Sequence, residues 1–400
     1  MRHLAVDVML PGLDFCLRVY NAPDVLEALT LALSGWSLMT RPADGPAPEL
    51  YVYRDADGLW QSDPGTDEEF RLPSPASAAC SLAADLLSRR LEHDAELIGL
   101  HCGSVEINGR LALFPQGSRA GKSTLSTAFA AAGYRIFGDD VLGLTPDGEG
   151  VAMGVAPRLR LPLPASLPAE LTRYIGRHAG PSDDRYRYVL PFEGGLAQSG
   201  ETCPVGALVL LERSDTPVRP EAVKLSPGDG LLQLLCQNFA RETLPQALMA
   251  RFLPLMERVP CLLLRYSDPL AGARHLASVL EGEGDAGAIE PAPTFAPPED
   301  NARLLPVERT TLWQPSAGVD TYPLGDELFL IQLSAGVIHR LNLTGRLVWQ
   351  LLGEEPLAVD ELGALLAEHF CRPEAEVGDD VAALMAALHG AGLVEPAEAG

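Results

Sequence analysis

The hydrophobic pattern of the first third of the chain changes from helical to strand-like. Apolar residues recur at helical spacing within residues 76–91, which predicts a helix in a small α/β region, residues 1–95, that packs on the part that follows. Short apolar runs at residues 97–100, 104–107 and 110–114 are typical of strands. The pattern therefore predicts an α/β fold.

A hairpin, a loop and a short helix follow one another in the next part of the chain. Asn108-Gly109 joins two of the strands, because this pair accepts the positive φ angles that a two-residue hairpin requires. The loop covers residues 115–124, and the helix after it runs to about Ala132, where Gly133 ends it. A further predicted strand, residues 134–144, carries two aspartates in its middle.

The last hundred residues predict a separate small domain, residues 301–400. Two strands, residues 327–333 and 337–341, form a hairpin, and three apolar stripes at helical spacing follow. The stripes are Leu343, Leu347, Leu351, then Val359, Leu362, Leu366, then Val377, Val381, Leu384, Leu388. Such a domain is winged-helix-like and α+β. Residues 281–300, rich in Gly, Pro, Ala and acids, predict a linker to a domain of residues 96–280.

Composition and charge narrow the class of partner. The chain has 400 residues and is 47% hydrophobic, which is typical of a globular protein. Its 30 basic and 54 acidic side chains give a formal net charge of −24, and such a surface repels nucleic acid and anionic membranes. The sequence has no recognisable signal peptide and no apolar run long enough to span a bilayer, so we expect a cytoplasmic protein without a membrane partner.

The cysteines are scattered singly along the chain. They stand at Cys16, Cys80, Cys102, Cys203, Cys236, Cys261 and Cys371. None has the C-x-x-C spacing of a zinc or redox site. We expect buried thiols in a reducing compartment.

The loop before the short helix has the residue types of a phosphate-binding loop. A Gly-Lys-Ser/Thr loop between a strand and a helix surrounds phosphate oxygens with backbone N–H groups, and the helix dipole adds positive potential. Lys122 is one of only two lysines among the 30 basic residues, which suits a position where a compact ammonium is needed. The predicted nucleotide-binding residues are Gly117, Ser118, Arg119, Ala120, Gly121, Lys122, Ser123 and Thr124. The alternative is a surface turn that caps a helix.

The pair Asp139-Asp140 follows Lys122 by one short helix and one strand. Adjacent carboxylates inside an apolar strand cost on the order of several kcal/mol to bury, unless a metal or a proton neutralises them. One could bind Mg²⁺ while the other accepts a hydroxyl proton. The alternative is a solvated strand end or turn, which aspartate commonly occupies.

These residues resemble the HPr kinase/phosphorylase family and its kinase relatives. The matching segments are His101-x-x-x-Val105-Glu106-Ile107, Asn108-Gly109, the loop through Lys122-Ser123, Gly133-Tyr134-Arg135 and Asp139-Asp140. The resemblance implies a P-loop domain with a mixed sheet, like that of phosphoenolpyruvate carboxykinase, that phosphorylates a serine hydroxyl with ATP and Mg²⁺. Because relatives assemble into rings, it also leaves a homo-oligomer open.

The resemblance assigns a role to each matching position. Lys122 would hold the β- and γ-phosphates, and Ser123 would bind the metal. Asp139 would accept the substrate proton, and Asp140 would bind the metal or belong to its shell. His101 would lie close to Asp139 as a further catalytic residue, or else be a core histidine that ends a strand.

The chain departs from the family at several positions. Gln116 and Arg119 stand where the family usually has glycine, and a later metal-binding glutamate has no counterpart in residues 155–164. The arginines of residues 157–162 and 184–188 could instead grip phosphate or substrate, with solvated arginines as the alternative.

The C-terminal domain resembles the PqqD-like family, which captures leader peptides of ribosomally made, modified peptides. The matching text is FLIQLSAGVIHRLNLTGRLVWQLL followed by GDDVAALMAALHGAGLV. The family implies capture of an extended leader peptide on a sheet edge. A plain dimerisation or packing module is the alternative.

Together the two resemblances predict a kinase for a ribosomal precursor peptide. A tethered capture module raises the effective concentration of the peptide near the catalytic loop. The leading hypothesis is ATP-dependent phosphorylation of a Ser or Thr hydroxyl. The alternatives are a non-catalytic carrier whose ATP state gates peptide binding, and a kinase for an HPr-like protein or a small molecule.

Overall fold

The computed structural model describes residues 5–63, 65–117, 119–239, 243–290 and 306–397. Packing divides the chain into two units, Met1–Arg241 with Arg258–Pro291, and Glu242–Glu257 with Ala292–Gly400. No helix in the described ranges is both long and apolar enough to cross a membrane.

The N-terminal region is a sheet of six strands with two helices. Its elements are β1 (Ala5–Met9), β2 (Cys16–Tyr20), α1 (Pro23–Ala32), β3 (Met39–Pro42), β4 (Leu50–Arg54), β5 (Leu59–Ser62), β6 (Glu69–Leu72) and α2 (Pro75–His93). The strand order is β3-β1-β2-β4-β5-β6. The predicted helix over residues 76–91 is confirmed as α2, where Ser74 accepts a hydrogen bond from the Ser77 N–H and so caps the first turn.

The region after α2 carries the predicted hairpin, loop and helix. Its elements are β7 (Ile98–Leu100), β8 (Gly103–Ile107), β9 (Arg110–Phe114), α3 (Lys122–Ala131), β10 (Arg135–Gly138), β11 (Leu142–Leu144) and β12 (Glu149–Ala152). The β8–β9 hairpin is confirmed, and Asn108 and Gly109 both take positive φ, 50° and 71°. The helix prediction is confirmed too, because α3 ends before Gly133.

The single strand expected over residues 134–144 is wrong. The chain forms β10 and β11 instead, and Asp139-Asp140 lies in the break between them. A Cβ on Gly138 would lie 2.9 Å from the Val141 carbonyl oxygen, so the chain turns sharply where only glycine fits. The turn lets β10 pair with β8 while β11 pairs with β7 and β12. The pair therefore lies past the end of a strand, as the alternative expected, but Asp139 is buried there and not solvated.

A three-stranded sheet follows, and a long strand then returns to the main sheet. The next elements are β13 (Arg158–Arg160), α4 (Ala169–Arg177), β14 (Ala179–Ser182), β15 (Tyr186–Val189), β16 (Thr202–Arg213), β17 (Glu221–Lys224), α5 (Pro227–Cys236), α6 (Pro245–Met256), β18 (Cys261–Tyr266), α7 (Pro269–Leu280) and β19 (Gly287–Ile289). The small sheet has the order β13-β15-β14. Of these elements only α6 belongs to the second unit.

The main sheet of the first unit is mixed, as predicted. Its order is β10-β8-β9-β16-β12-β11-β7, and β18, β17 and β19 continue from β16. β16 runs parallel to β9 and β18 and antiparallel to β12. The N-terminal region shares a hydrophobic core with this part, and the Trp36 indole donates a hydrogen bond to the Met153 carbonyl at 2.7 Å. The first unit is thus α/β with a mixed sheet.

The segment predicted as a linker, residues 281–300, starts inside the first unit. β19 pairs with β17 in parallel, and Glu290 forms an ion pair with Arg265 at 2.8 Å. These contacts extend the sheet to residue 290, because short pairings and a charged contact outweigh the Gly- and Pro-rich composition. Residues 291–300 lie outside the described residues.

The second unit has two small sheets and helices. Its remaining elements are β20 (Leu312–Pro315), β21 (Val319–Leu324), β22 (Glu327–Gln332), β23 (Val337–Leu341), α8 (Leu343–Glu354), β24 (Leu357–Ala358), α9 (Val359–Phe370), α10 (Glu374–Gly390) and β25 (Val394–Pro396). The sheets have the orders β21-β22-β23 and β24-β20-β25. The predicted hairpin and three helices are confirmed. The strand β21 was not predicted, because Pro323 and its polar neighbours weaken the strand pattern.

The expectation that every cysteine is buried is wrong. Cys102, Cys203 and Cys261 are buried, Cys16 and Cys80 are half-buried, and Cys236 and Cys371 are exposed. None of the seven, all within the described residues, forms a disulfide. The exposed pair lie at or just past helix ends, where spacing in the sequence does not report burial.

Candidate functional site

The loop between β9 and α3 leaves the first turn of α3 uncapped. Helix α3 starts at Lys122, after Gly121 in the left-handed conformation with φ of 98°, and no described side chain caps it. The N–H groups of the first turn therefore have no intrahelical acceptor and face the loop. Gly117 is exposed and Ala120 is half-buried, whereas Ser118 lies outside the described residues. Such a helix start favours an anion.

Arg119 has a left-handed backbone conformation that glycine adopts more easily. Its φ is +73°, in the left-handed region that side chains rarely occupy. Its side chain is exposed. The loop therefore keeps the shape that glycine takes more easily, and arginine adopts it at a cost of about 1–2 kcal/mol.

Gln116 has a structural role that the sequence did not reveal. Its side chain is buried, and its amide nitrogen donates to the Leu211 carbonyl at 3.1 Å. The Leu211 N–H donates in return to the Gln116 side-chain oxygen at 2.7 Å. This pair of hydrogen bonds, the glutamine clip, joins the loop to β16.

The Lys122 side chain is buried within its own loop. It is only 6% exposed, and its ammonium donates to the Gln116 carbonyl and to the Gly117 carbonyl, the latter at 3.2 Å. Burial lowers the pKa of the ammonium, and the charge of Asp140 opposes that shift. The loop thus holds a compact positive charge directly beside its backbone.

Asp139 is a buried carboxylate with one unpaired oxygen. Its side chain is 4% exposed, and Oδ2 accepts a hydrogen bond from the Arg158 N–H at 3.0 Å. Oδ1 has no hydrogen-bond partner among the described residues. Burial raises the pKa of this carboxyl to about 6. The pKa is lowered in part by the Arg158 N–H, Ser123 and Lys122. A carboxyl of this kind suits proton transfer near neutral pH.

His101 contacts Asp140, although the resemblance suggested Asp139. The imidazole Nε2 lies 3.0 Å from Asp140 Oδ1 and 3.3 Å from the Lys122 ammonium. The Asp140 side chain is 59% exposed, unlike that of its neighbour. The two aspartates differ because consecutive residues at a turn point in different directions. His101 directly follows β7, as the alternative expected, but it is half-buried and its Nε2 faces Lys122 and Asp140.

A segment that contains Gln237 and Phe239 positions His101, and the sequence analysis did not identify this segment. Gln237 Oε1 lies 3.1 Å from His101 Nδ1, and the Gln237 carbonyl accepts the His101 N–H at 2.7 Å. The Phe239 ring lies 6.2 Å from the imidazole. No motif marks these residues, because Gln237 is 136 positions away from the histidine that it contacts.

The residues present fit Mg²⁺. The Ser123 hydroxyl and the carboxylates of Asp139 and Asp140 are hard oxygen donors, and one buried carboxylate oxygen lacks a partner. Within the described part of the chain, no three His, Cys, Asp or Glu side chains converge as a closed metal cage. An open set of one or two protein oxygens is how Mg²⁺ is usually held beside phosphates.

The second unit offers a sheet edge at β23. Leu333 donates its N–H to the Gly318 carbonyl. Because the backbone groups of successive residues in an antiparallel strand point to opposite sides, the odd-numbered residues of β22 form their hydrogen bonds with β21 and the even-numbered ones with β23. On this alternation, the backbone groups of Ile338 and Arg340 point away from β22. Within the described residues, β23 pairs with β22 alone. The opposite edge carries Pro323, which has no N–H to offer.

The C-terminal unit contains a PqqD domain. Residues 327–394 match the family model of coenzyme PQQ synthesis protein D (PqqD). Among solved structures, the chain is similar to "TbiB1 in Complex with the TbiA(beta) Leader Peptide", with 23% identity and a TM-score of 0.20. That match covers 22% of this chain and 99% of the other. A comparison with curated proteins found no match.

Proposed function

We propose that the chain is an ATP-dependent kinase that phosphorylates a Ser or Thr hydroxyl of a ribosomal precursor peptide. The observation that carries this is the pairing of a buried lysine at an uncapped helix start with a buried, partly unpaired aspartate. The first feature suits phosphate and the second suits a hydroxyl proton. The hairpin before the loop and the mixed sheet agree with an HPr-kinase-like P-loop domain.

Each residue has a task in the proposed reaction. The first-turn N–H groups of α3 and the Lys122 ammonium bind the phosphates of ATP. Asp139 takes the proton of the acceptor hydroxyl. The hydroxyl oxygen bonds to the γ-phosphorus while the bond from this phosphorus to the β–γ bridging oxygen breaks, and ADP is released. Ser123 and Asp140 would hold Mg²⁺. When bound, the metal supplies positive charge that offsets the charge of the phosphates.

His101 is a positioning residue in this scheme. Its imidazole contacts both Asp140 and Lys122, and the Gln237 segment holds it from the other side. It therefore fixes the relative position of the metal-binding carboxylate and the phosphate-binding ammonium.

The PqqD domain supports a peptide as the substrate. Members of this family are peptide-binding elements, and an edge strand with free N–H and C=O groups pairs with an extended peptide. In the described part of the chain β23 is such an edge. Because both units belong to one chain, a captured precursor stays at high effective concentration near the loop.

A proline on the β23 edge should weaken leader binding. Ile338→Pro removes an N–H that faces the free edge without breaking the ladder to β22, so we expect about a tenfold weaker affinity for the leader. Fluorescence anisotropy with labelled leaders of candidate precursor peptides measures it. The matched control is Thr321→Pro on β21, the edge that already contains a proline, and it should bind normally. Equal effects of both changes would contradict capture at β23.

A second candidate function is a non-catalytic carrier whose ATP state gates peptide binding. It is favoured by Arg119, whose strained backbone stands in a loop that normally uses glycine. Both candidates bind ATP and peptide, but only a kinase leaves phosphate on the peptide.

Mass spectrometry separates the two candidates. The full chain is incubated with Mg²⁺, ATP and a candidate precursor peptide that binds it, and the mass of the peptide and of its fragments is then measured. A kinase adds one phosphoryl group at a Ser or Thr. An unmodified peptide, recovered from a mixture in which ATP and peptide both bind, would favour the carrier.

A further inference from the structure

Two arginine-rich segments meet on neighbouring strands of the small sheet. β13 pairs antiparallel with β15, with Arg158 opposite Tyr188 and Arg160 opposite Tyr186. The Arg158, Arg160 and Arg185 guanidinium carbons lie 4.6, 6.0 and 5.8 Å from the centre of the Tyr186 ring. We call Arg158, Arg160 and Arg185 the arginine cluster. Pairing of the strands, rather than proximity in sequence, brings it together.

The cluster forms no ion pair in the part of the chain that the structure describes. None of its guanidinium groups forms an ion pair with a described carboxylate. Asp183, two residues before Arg185, accepts the N–H groups of Arg185 and Tyr186 and the Ser74 hydroxyl proton, and the charge of Arg185 acts on it only as a minor cause of its lowered pKa. Three like charges around one ring repel each other, and the ring face offsets only part of that repulsion.

This arrangement is unusual because the chain is strongly acidic. The net charge is −24, yet residues 157–190 contain six arginines and three acids, a local excess of 6 − 3 = +3. Elsewhere many arginines are paired, such as Arg135 with Glu201 and Arg265 with Glu212. A group of arginines without acids on such a surface indicates an anionic ligand.

The cluster is joined directly to the candidate site. The backbone N–H of Arg158 holds Asp139 at 3.0 Å. Tyr188, across from Arg158, has a pKa raised to about 12 mainly by burial, and both aspartates of the pair add to that shift. The cluster therefore lies on the aspartate side of the site, where an acceptor hydroxyl would approach, and on a different element from the loop and helix start that suit the phosphates of ATP.

We propose that the arginine cluster binds acidic side chains of the peptide substrate next to the acceptor hydroxyl. The inference rests on the proposed kinase function, and it names the substrate class: a Ser or Thr flanked by Asp or Glu. Guanidinium groups pair with carboxylates in a planar, two-point geometry, and three of them around one ring can take more than one carboxylate. Nucleic acid is a poor occupant, because the remaining surface repels a long polyphosphate.

The test uses two labelled probes and the full chain without ATP. One probe is a serine flanked by two glutamates on each side, and the other has glutamines in their place. Fluorescence anisotropy at about 50 mM salt should show the acidic probe binding at least about tenfold more tightly, with the difference shrinking at about 500 mM. Equal affinity of the two probes at low salt would overturn the proposal.

Matched double variants locate the binding. Arg160→Gln with Arg185→Gln should weaken binding of the acidic probe about tenfold. The control, Arg173→Gln with Arg177→Gln, removes the same charge from two exposed arginines of α4 that form no described ion pair, and it should change affinity less than about twofold. Equal weakening in both would show only general charge attraction and would overturn the assignment. The proposal would also be overturned if an RNA decamer bound more tightly than the acidic probe and the cluster variants abolished that RNA binding.

The outcomes for this inference and for the kinase activity are distinguishable. Probe binding needs neither ATP nor phosphate transfer, so a protein that binds the acidic probe but never phosphorylates a peptide contradicts the kinase function alone. A protein that phosphorylates its precursor but binds both probes equally contradicts this inference alone. If the cluster variants lose ATP affinity and keep probe binding, the cluster serves the nucleotide and the proposal fails. Circular dichroism melting checks that the variants fold.

Discussion

Lys122→Met should lose ATP binding and at least about 100-fold of its phosphate transfer. The lysine side chain is buried, its ammonium lies against loop carbonyls, and methionine fills a similar volume without charge. Calorimetry with Mg²⁺ and ATP measures binding, and radiolabelled phosphate on the precursor peptide measures transfer. The change leaves the loop filled, so lost binding reports the missing charge rather than a cavity.

The chain provides its own control for that experiment. Lys224 is the other lysine, and it is exposed on β17, so Lys224→Met removes the same charge outside the loop. We expect this variant to bind ATP and transfer phosphate normally. Lys122→Arg should not rescue the loss, because a longer planar guanidinium does not fit a buried slot shaped for an ammonium. Normal ATP binding by Lys122→Met would remove the basis of the proposed function.

Asp139→Asn should abolish phosphate transfer and at the same time make the protein more stable. Burial raises the pKa of Asp139 from 3.8 to about 6, so the folded state holds an unfavourable charge above that pH. One pKa unit corresponds to about 1.4 kcal/mol, so the shift corresponds to a gain of about 1–3 kcal/mol at neutral pH. The amide oxygen can still accept the Arg158 N–H.

The pH dependence of this gain has a definite sign. Because the pKa is higher in the folded state, protonated Asp139 favours folding, and that contribution is complete below 3.8 and lost as the pH rises through about 6. Wild type and Asp139→Asn should therefore have similar thermal midpoints near pH 4, and the variant should melt higher at neutral pH. The comparison is made in EDTA.

Asp140→Asn is the matched control for Asp139→Asn. Its side chain is largely exposed, so neutralising it should leave the melting temperature nearly unchanged. If Asp139→Asn melts at or below the wild-type temperature at neutral pH, the carboxyl is not held in the desolvated environment described above.

Local patterns predicted the elements that depend on neighbouring residues. The β8–β9 hairpin follows from Asn108-Gly109, and α8, α9 and α10 follow from apolar stripes at helical spacing. Elements that depend on distant partners were missed. β19 forms because β17 lies beside it, and β21 forms beside β22 despite its proline. Periodicity in one segment carries no information about such partners.

In the candidate site, too, local sequence patterns predicted some features, and others depend on residues that are distant in sequence. Lys122, Ser123 and the two aspartates form a compact pattern along the chain, so residue type and spacing were enough to single them out. Which aspartate is buried could not be predicted, because that depends on the Arg158 N–H nineteen residues away. The partner of His101 was equally hidden, since it depends on how the chain turns after Gly138.

Because of the glutamine clip, the start of the loop becomes ordered during folding and not when a ligand binds. A glycine-rich loop usually keeps much conformational freedom until its ligand arrives, and the ligand then bears the entropy of ordering it. Here two hydrogen bonds from Gln116 to β16 fix the start of the loop against the sheet, so this end becomes ordered as the sheet itself folds. In the proposed kinase, the start of the loop is therefore already in place when ATP arrives, which favours rapid association.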